Sequence, residues 1–494
     1  MKLAVSSATS TVVLLTALSS LSAPPSQAAD HLYDPDNNDH HLSLKLRNYY
    51  QDRQLRDFSK YYYEELSDHS LRKVKTHNKQ LGWGQGLEIN FESAWLGSNT
   101  AAIGVDASLY GGLKLIGNKD EYGTTILKEE PLVFNEHKGL YTSKQDSYTK
   151  LGQIYLKGMA GQERMNIKGK AGWIPIEKPL LNTYYRLTPT RFQGAMAEAE
   201  VGDFEFYGAW TNRVSIYNHD KMEKFTSLKP GREGRDKKFE AIDHIYTMGG
   251  SYNHESGLGS DLAYAESESY LKLYHANLNY TFLLDDQTSL LLEGQYYKGE
   301  ENGNKWKSDG KTFGGFDKDA NLYNLNARLT FEMLSFMASY SQVEAKKNGA
   351  LGEFDFHLAY DSGRDYDEIG FRTKRQISAF NHNGESVWQA GVSYAFDNLG
   401  LPGLSMGYTY TAGKDIEATN KPDYTDKYKE KEHNVKFGYA FQQKALKGLS
   451  VTVLYAQYEG DEELSEMKNE SKKDFRYEGK TDLRVFVDYT LSVF

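Results

Sequence analysis

The residues that could carry covalent or metal chemistry in this chain do not converge. His244, His275 and His433 stand far apart, no two histidines share a helical turn as in a zinc protease, and neither a Gly-x-Ser-x-Gly elbow nor a dinucleotide fingerprint occurs. Gly310-Lys311-Thr312 ends like a phosphate-binding loop, but Lys305 stands where the first glycine belongs, so it reads as a loop tip. Asp34-Pro35-Asp36-Asn37-Asn38-Asp39 opens like a calcium loop, yet Asp39 occupies the glycine position and Lys45 that of the distal glutamate, so a polar tail is the reading. Without cysteine there is no disulfide framework and no thiolate metal site. The expectation is a protein with no catalytic centre and no cofactor, whose work is done by charged and aromatic side chains held in place by something else.

That something is a set of strands. Over the last segment, Thr481 to Phe494, the residues Leu483, Val485, Val487, Tyr489, Leu491 and Val493 share one face, and Arg484, Asp488, Thr490 and Ser492 fall mostly on the other. A strand running to the final residue and pairing with the first is how a bacterial outer-membrane barrel closes, although Phe494 falls on the parity opposite to the apolar face. At His41 to Tyr50, Leu42, Leu44 and Leu46 alternate with Ser43, Lys45, Arg47 and Tyr49, and the pattern recurs through Leu449, Val451, Val453 and Tyr455. Short connections near 97–100, 158–162, 201–203, 253–257, 284–288, 333–335, 397–403 and 443–448 alternate with mostly long polar ones. The long connections are 53–80, 116–147, 174–190, 212–241, 265–269, 297–320, 342–386, 412–432 and 458–480. Short turns on one rim and long loops on the other predict an all-β, transmembrane antiparallel β-barrel of about eighteen strands. In lipid every backbone amide must be paired, so such a sheet has to close.

Composition agrees. Tyr 37, Phe 23, Trp 6 and Gly 44 stand against only 10 Pro, and the mean hydropathy is −0.66; a barrel hides its apolar residues by alternation and sets aromatics at the two water interfaces. Lys2, an apolar run through Val12, Val13, Leu14, Leu15 and Leu18, and the small residues Ser26 and Ala28 predict a secretory signal peptide over residues 1–28, with the barrel over 29–494. After residue 29 no run of apolar residues is long enough for a membrane-spanning helix. The net charge of −10 argues against nucleic acid as a partner. Acidic loops are expected to face lipopolysaccharide through divalent cations.

Four segments, in order along the chain, add a resemblance: Leu44-Lys45-Leu46-Arg47-Asn48-Tyr49-Tyr50, Asp146-Ser147-Tyr148-Thr149-Lys150-Leu151-Gly152, Leu399-Gly400-Leu401-Pro402-Gly403-Leu404, and Val487-Asp488-Tyr489 with the final Phe494. Together they resemble the OprD family of outer-membrane porins. The resemblance implies an eighteen-stranded monomeric channel whose third long loop folds inward as the constriction, with basic residues laddering the wall. Family members take up amino acids, small peptides and carboxylates; a related branch, the chitoporins, takes up chito-oligosaccharides.

Mapped onto this chain, the inward loop is Trp173 to Gly194, stiffened by Pro175, Pro179 and Pro189. It carries Arg186 and Arg191 as eyelet cations, with Tyr184, Tyr185, Glu177 and Lys178 beside them. A guanidinium offers several fixed donors to a carboxylate or a sugar hydroxyl. Tyr184, Tyr185 and Phe192 could stack on sugar rings or pack the loop to the wall. The pore-wall ladder becomes Lys45, Arg47, Lys168 and Lys170, with Lys157 as a further member and Asp106, Glu88, Glu92 and Glu205 as the opposite wall. The implied function is passive, moderately selective diffusion of small hydrophilic solutes across the outer membrane of a Gram-negative bacterium, by a monomer or loose trimer set in lipid and lipopolysaccharide. The alternatives are a chito-oligosaccharide channel, a barrel enzyme such as a lipase or protease, and an adhesin whose long loops bind a surface partner.

Overall fold

Strands that are apolar on one side and polar on the other pair into a sheet with two unlike faces. In the computed structural model that sheet closes on itself. The structure describes residues 38–493 except 58–60, 66–68, 76–77, 118–123, 125, 130–132, 143, 163, 232–238, 361–369 and 469–476. The segment read as a signal peptide, most of the Asp34 to Asp39 motif and Phe494 therefore lie outside the described residues.

Eighteen strands form the wall: β1 (His41–Asp57), β2 (Lys79–Glu92), β3 (Ala101–Gly117), β4 (Tyr148–Gln162), β5 (Met165–Ile174), β6 (Arg191–Val201), β7 (Phe204–Ser215), β8 (Ile245–Asn253), β9 (Leu258–Ser267), β10 (Leu271–Leu283), β11 (Thr288–Glu301), β12 (Asp319–Phe331), β13 (Leu334–Glu344), β14 (Ser386–Ala395), β15 (Leu404–Ile416), β16 (Tyr428–Ala440), β17 (Leu449–Gly460) and β18 (Tyr477–Ser492). A further short piece, Leu96–Ser98, pairs with β3 inside the β2–β3 connection. Each strand is antiparallel to the next, and β18 returns to β1 in a register running from Ser43 opposite Ser492 to Asp57 opposite Tyr477. The closing pair expected from alternation is thus formed.

Turns on one rim are short, down to Gly202-Asp203, where Gly202 takes a φ of +62° at no steric cost. The other rim carries L1 (58–78), L2 (118–147), L3 (175–190), L4 (216–244), L5 (268–270), L6 (302–318), L7 (345–385), L8 (417–427) and L9 (461–476). The outer face is an apolar band, with Leu262, Leu278 and Leu325 exposed to it. Aromatic rings border the band on both sides, among them Phe204 stacked on Phe206 near the short-turn rim and the Tyr246, Tyr264, Tyr274 series near the loop rim. Such girdles sit where hydrocarbon gives way to headgroups.

The largest apolar core lies inside the barrel, where loops pack on the inner wall. Ile176, Leu180 and Leu181 of L3, Phe225 and Ile242 of L4, Trp306 and Phe316 of L6, and Phe354 and Phe356 of L7 cluster against Ala263, Leu273, Leu322 and Val343 of the wall. Much of the loop-side lumen between β5 and β13 is therefore filled.

Leu278→Arg, at the middle of β10 on the lipid face, is expected to lower barrel stability by about 2–4 kcal/mol, whereas Asn279→Arg, one residue on and facing the lumen, should cost under about 1 kcal/mol. Reversible urea unfolding into lipid vesicles measures both.

Candidate functional site

L3 turns inward because little in it can continue the sheet and much of it is apolar. Its three prolines carry no amide proton to offer a neighbour. Its first half is a small hairpin, Glu177–Lys178 against Leu181–Asn182, seated by Ile176, Leu180 and Leu181 on the loop core. Its second half lies along β2. There Gly82, Gly84 and Gly86 all face the lumen and present a flat strip; a Cβ at Gly86 would come within 2.4 Å of the Leu187 carbonyl oxygen, and one at Gly84 within 2.9 Å of the Leu187 side chain. Leu187, fully buried, packs with Tyr49, Phe486 and Leu454 of the wall and with Ile126 and Leu127 of L2. The alternating glycines are a signal in the sequence that could have located the resting place of L3.

Charged contacts fix the loop further. Arg47 on β1 makes two hydrogen bonds to Asp488, its cross-strand partner on β18 (2.6 and 2.9 Å), and donates a third to the Arg186 carbonyl (3.1 Å). Its guanidinium lies over the Tyr185 ring at 4.0 Å, as does the Lys45 ammonium at 4.2 Å, while the Tyr185 hydroxyl donates to Glu88. Arg186 donates to the Thr124 carbonyl of L2 (2.8 Å) and to the Tyr184 hydroxyl (3.1 Å), and Tyr184 meets Tyr217 edge to face. Buried Lys150 on β4 donates to the carbonyls of Pro189 and Ile216 at 3.2 and 2.5 Å, tying L3 to the base of L4. L2 and L4 are joined in turn by Lys128 and Asp220 at 2.7 Å; partial burial works to raise the Asp220 carboxyl, but the ammonium outweighs it and holds the group below the usual carboxylate range.

The other residues singled out from the sequence are distributed as follows. Arg191 is the first residue of β6, buried, and donates to the Tyr110 hydroxyl (2.7 Å), Gln153 (3.1 Å) and the Thr190 carbonyl (2.8 Å). Lys178 sits between Glu198 and Glu205 at 2.5 and 2.7 Å, and Glu177 is exposed at the start of the hairpin. On the ladder, Lys168 pairs with Glu200 (3.5 Å) and Lys157 with Asp106 (2.8 Å), whereas Lys45 and Lys170 have no carboxylate within ion-pair distance among the described residues. Lys45, Arg47, Tyr184, Tyr185 and Arg186 are thus brought together, and Lys168 and Lys170 lie apart from them on β5.

Sequence reasoning missed a second inward element. L7 crosses to the wall at Arg372, which grips Glu293 of β11 with two bonds of 2.7 and 2.8 Å. Arg375 then reaches Thr411 (3.1 Å) and Gln389, and Gln376 donates to the Asp482 carbonyl (2.8 Å). Arg484 of β18 donates to the Gln376 carbonyl (3.0 Å) and shares Asp482 with Arg53. L3 and L7 leave opposite arcs of the barrel and reach the wall side by side at β1 and β18. The run Phe354-Asp355-Phe356-His357-Leu358-Ala359-Tyr360, too apolar for a solvated loop, is the trace L7 leaves in the sequence.

A closed eighteen-stranded barrel with a charged lumen and loops folded into it defines an outer-membrane diffusion channel. The family model for outer membrane porins of the OprD family matches residues 37–493, and the chain belongs to that family: it is an outer-membrane porin and not an enzyme. Porin D of Pseudomonas aeruginosa is 26% identical over 467 residues, spanning 92% of this chain and 91% of its own length. Among solved structures, P. aeruginosa OprD superposes with a TM-score of 0.65 at 22% identity, covering 92% of this chain and 96% of that one. P. aeruginosa OccK8 (OprE) gives 0.68 at 19% identity, covering 92% and 99%, and Acinetobacter baumannii OccAB3 gives 0.68 at 20%, with the same coverage.

Gly86→Ala is expected to lift the tip of L3 from β2, raising single-channel conductance in a planar bilayer, and to destabilise the packed loop by about 1–3 kcal/mol. Unchanged conductance in the folded variant would contradict this seating of L3.

Proposed function

We propose that the channel passes small solutes bearing a carboxylate, among them amino acids and small peptides, and that Lys45 and Arg47 with the L3 residues Tyr184, Tyr185 and Arg186 form its selective constriction. The observation that carries this reading is a surplus of uncommitted cations. Several lumenal carboxylates are engaged, Glu88 by Tyr185, Asp488 by Arg47, Asp106 by Lys157, Glu198 and Glu205 by Lys178, and Glu293 by Arg372, while Glu430 and Glu432 are met by neutral donors. Among the described residues, Lys45, Lys170, Arg328 and Lys436 face the lumen with no carboxylate within 4.0 Å, and Asp482 is shared by two arginines. A permeating anion gains from each such charge without being held by any, which lets it both enter and leave.

The rings of L3 favour this over the chito-oligosaccharide reading. Tyr185 lies against two cations, Tyr184 abuts Tyr217, and Phe192 is fully buried near Phe225. No broad aromatic face of L3 is left open for a sugar ring. Lys272, Lys298, Lys414 and Lys431 just beyond the aromatic girdle support lipopolysaccharide phosphates as the neighbours of the loop rim.

In a KCl gradient the reversal potential is expected on the anion side, and Lys45→Glu should move it toward the cation side by on the order of 10 mV. Benzoate added to one side should reduce the current and do so less in the variant, while chitohexaose should leave it unchanged. A cation-selective wild type, or block by the sugar alone, would overturn this reading.

A further inference from the structure

Where L7 meets the wall at residues 376–378 it is fastened by side chains and not by sheet pairing. Glu432, fully buried on the lumenal side of β16, accepts the backbone N–H of Ile377 at 3.1 and 3.2 Å to its two oxygens and that of Ser378 at 2.8 Å. Asn434 steadies the same carboxylate with a bond of 2.7 Å. Glu430, two residues earlier on the strand, accepts the Ser378 hydroxyl (2.7 Å) and the Tyr458 hydroxyl (2.6 Å). From β18, Arg484 and the Asp482 carbonyl clamp Gln376 from both ends of its amide and backbone. Shortly after, Phe380 is fully buried with a φ of +53°, a left-handed conformation that a bulky residue keeps only when its surroundings impose it.

Two successive amides aimed at one carboxylate make charge-assisted bonds, stronger than those between neutral groups. A loop held this way has one position against the wall as long as the carboxylate is present. We propose that Glu432, backed by Glu430, is the positioning residue that sets the width of the channel on the L7 side by pinning residues 376–378 to β16. It acts through L7 and does not need to touch the solute. Every permeant, including K⁺ and Cl⁻, therefore feels its loss, whichever solute class the channel serves.

Glu432→Gln tests this, because the isosteric amide keeps one acceptor and turns an NH₂ group toward two N–H donors. In planar bilayers the variant is expected to differ from the wild type in mean KCl conductance by about 1.5-fold or more and to flicker among sub-states. Since the chain has no cysteine, Ala379→Cys supplies a single thiol beside the pin; in the Glu432→Gln background it should react with a membrane-impermeant maleimide about tenfold faster, the loss expected from one charged hydrogen bond. Glu432→Asp, which keeps the carboxylate on a shorter arm, should recover part of both effects. If Glu432→Gln does not fold, Ser378→Pro, which removes both the N–H given to Glu432 and the hydroxyl given to Glu430, carries the same measurements from the loop side. Wild-type conductance without sub-states and an unchanged labelling rate in a folded variant would overturn the proposal.

Discussion

The contact on which the rest of this structure leans is the one between Arg47 and Asp488. The two residues face each other across the seam where β1 meets β18, and the same guanidinium holds the Arg186 carbonyl and lies on the Tyr185 ring. One side chain thus takes part both in the closing seam and in the seating of L3. Arg47 is almost fully buried and Asp488 largely so, and removing one member of such a pair leaves a charge uncompensated, at a cost of about 3–5 kcal/mol. A lysine at position 47 could make neither the two-bond pairing nor the stacked contact with the ring.

That contact exists because the lumen must be polar while the outer face cannot be. Once period-2 alternation fixes which residues point inward, charges become crowded inside a narrow space and have to be matched. Most are matched by wall-to-wall pairs such as Lys157 with Asp106, or by a loop, as when Lys178 takes up Glu198 and Glu205. The loops are therefore held by the same electrostatics that would otherwise make the lumen unstable. L3 neutralises acids of β6 and β7 and L7 that of β11, while on β16 L7 meets Glu430 and Glu432 with neutral donors; the proposed selectivity rests on the cations left over.

The barrel was legible in the sequence because lipid enforces strict parity. Leu483 to Val493 shows its lipid face residue by residue, and turn and loop lengths gave the strand number and the pairing of first and last strands. Partners were not legible. Nothing local to Arg191 points to Tyr110 or Gln153, and nothing local to Lys178 points to Glu205, since these contacts depend on how a loop crosses a space the sequence does not describe. The inward path of L7 went unread because 342–386 stood only as one of the long polar connections, although the apolar residues between Phe354 and Tyr360 required a core to pack against. Gly82, Gly84 and Gly86, just past the connection at 53–80, have no side chain to reveal a face, although Gly84 and Gly86 make room for Leu187 and Gly82 for Thr124.

In the proposed reading, a channel narrowed by L3 and L7 is left with an excess of positive charge along its path. Liposome swelling with three solutes of matched size, a small carboxylate, its neutral amide and the corresponding amine, tests it most directly. The carboxylate is expected to enter fastest and the amine slowest, with the order flattening as salt screens the wall charges. Equal rates, or faster entry of the amine, would contradict it.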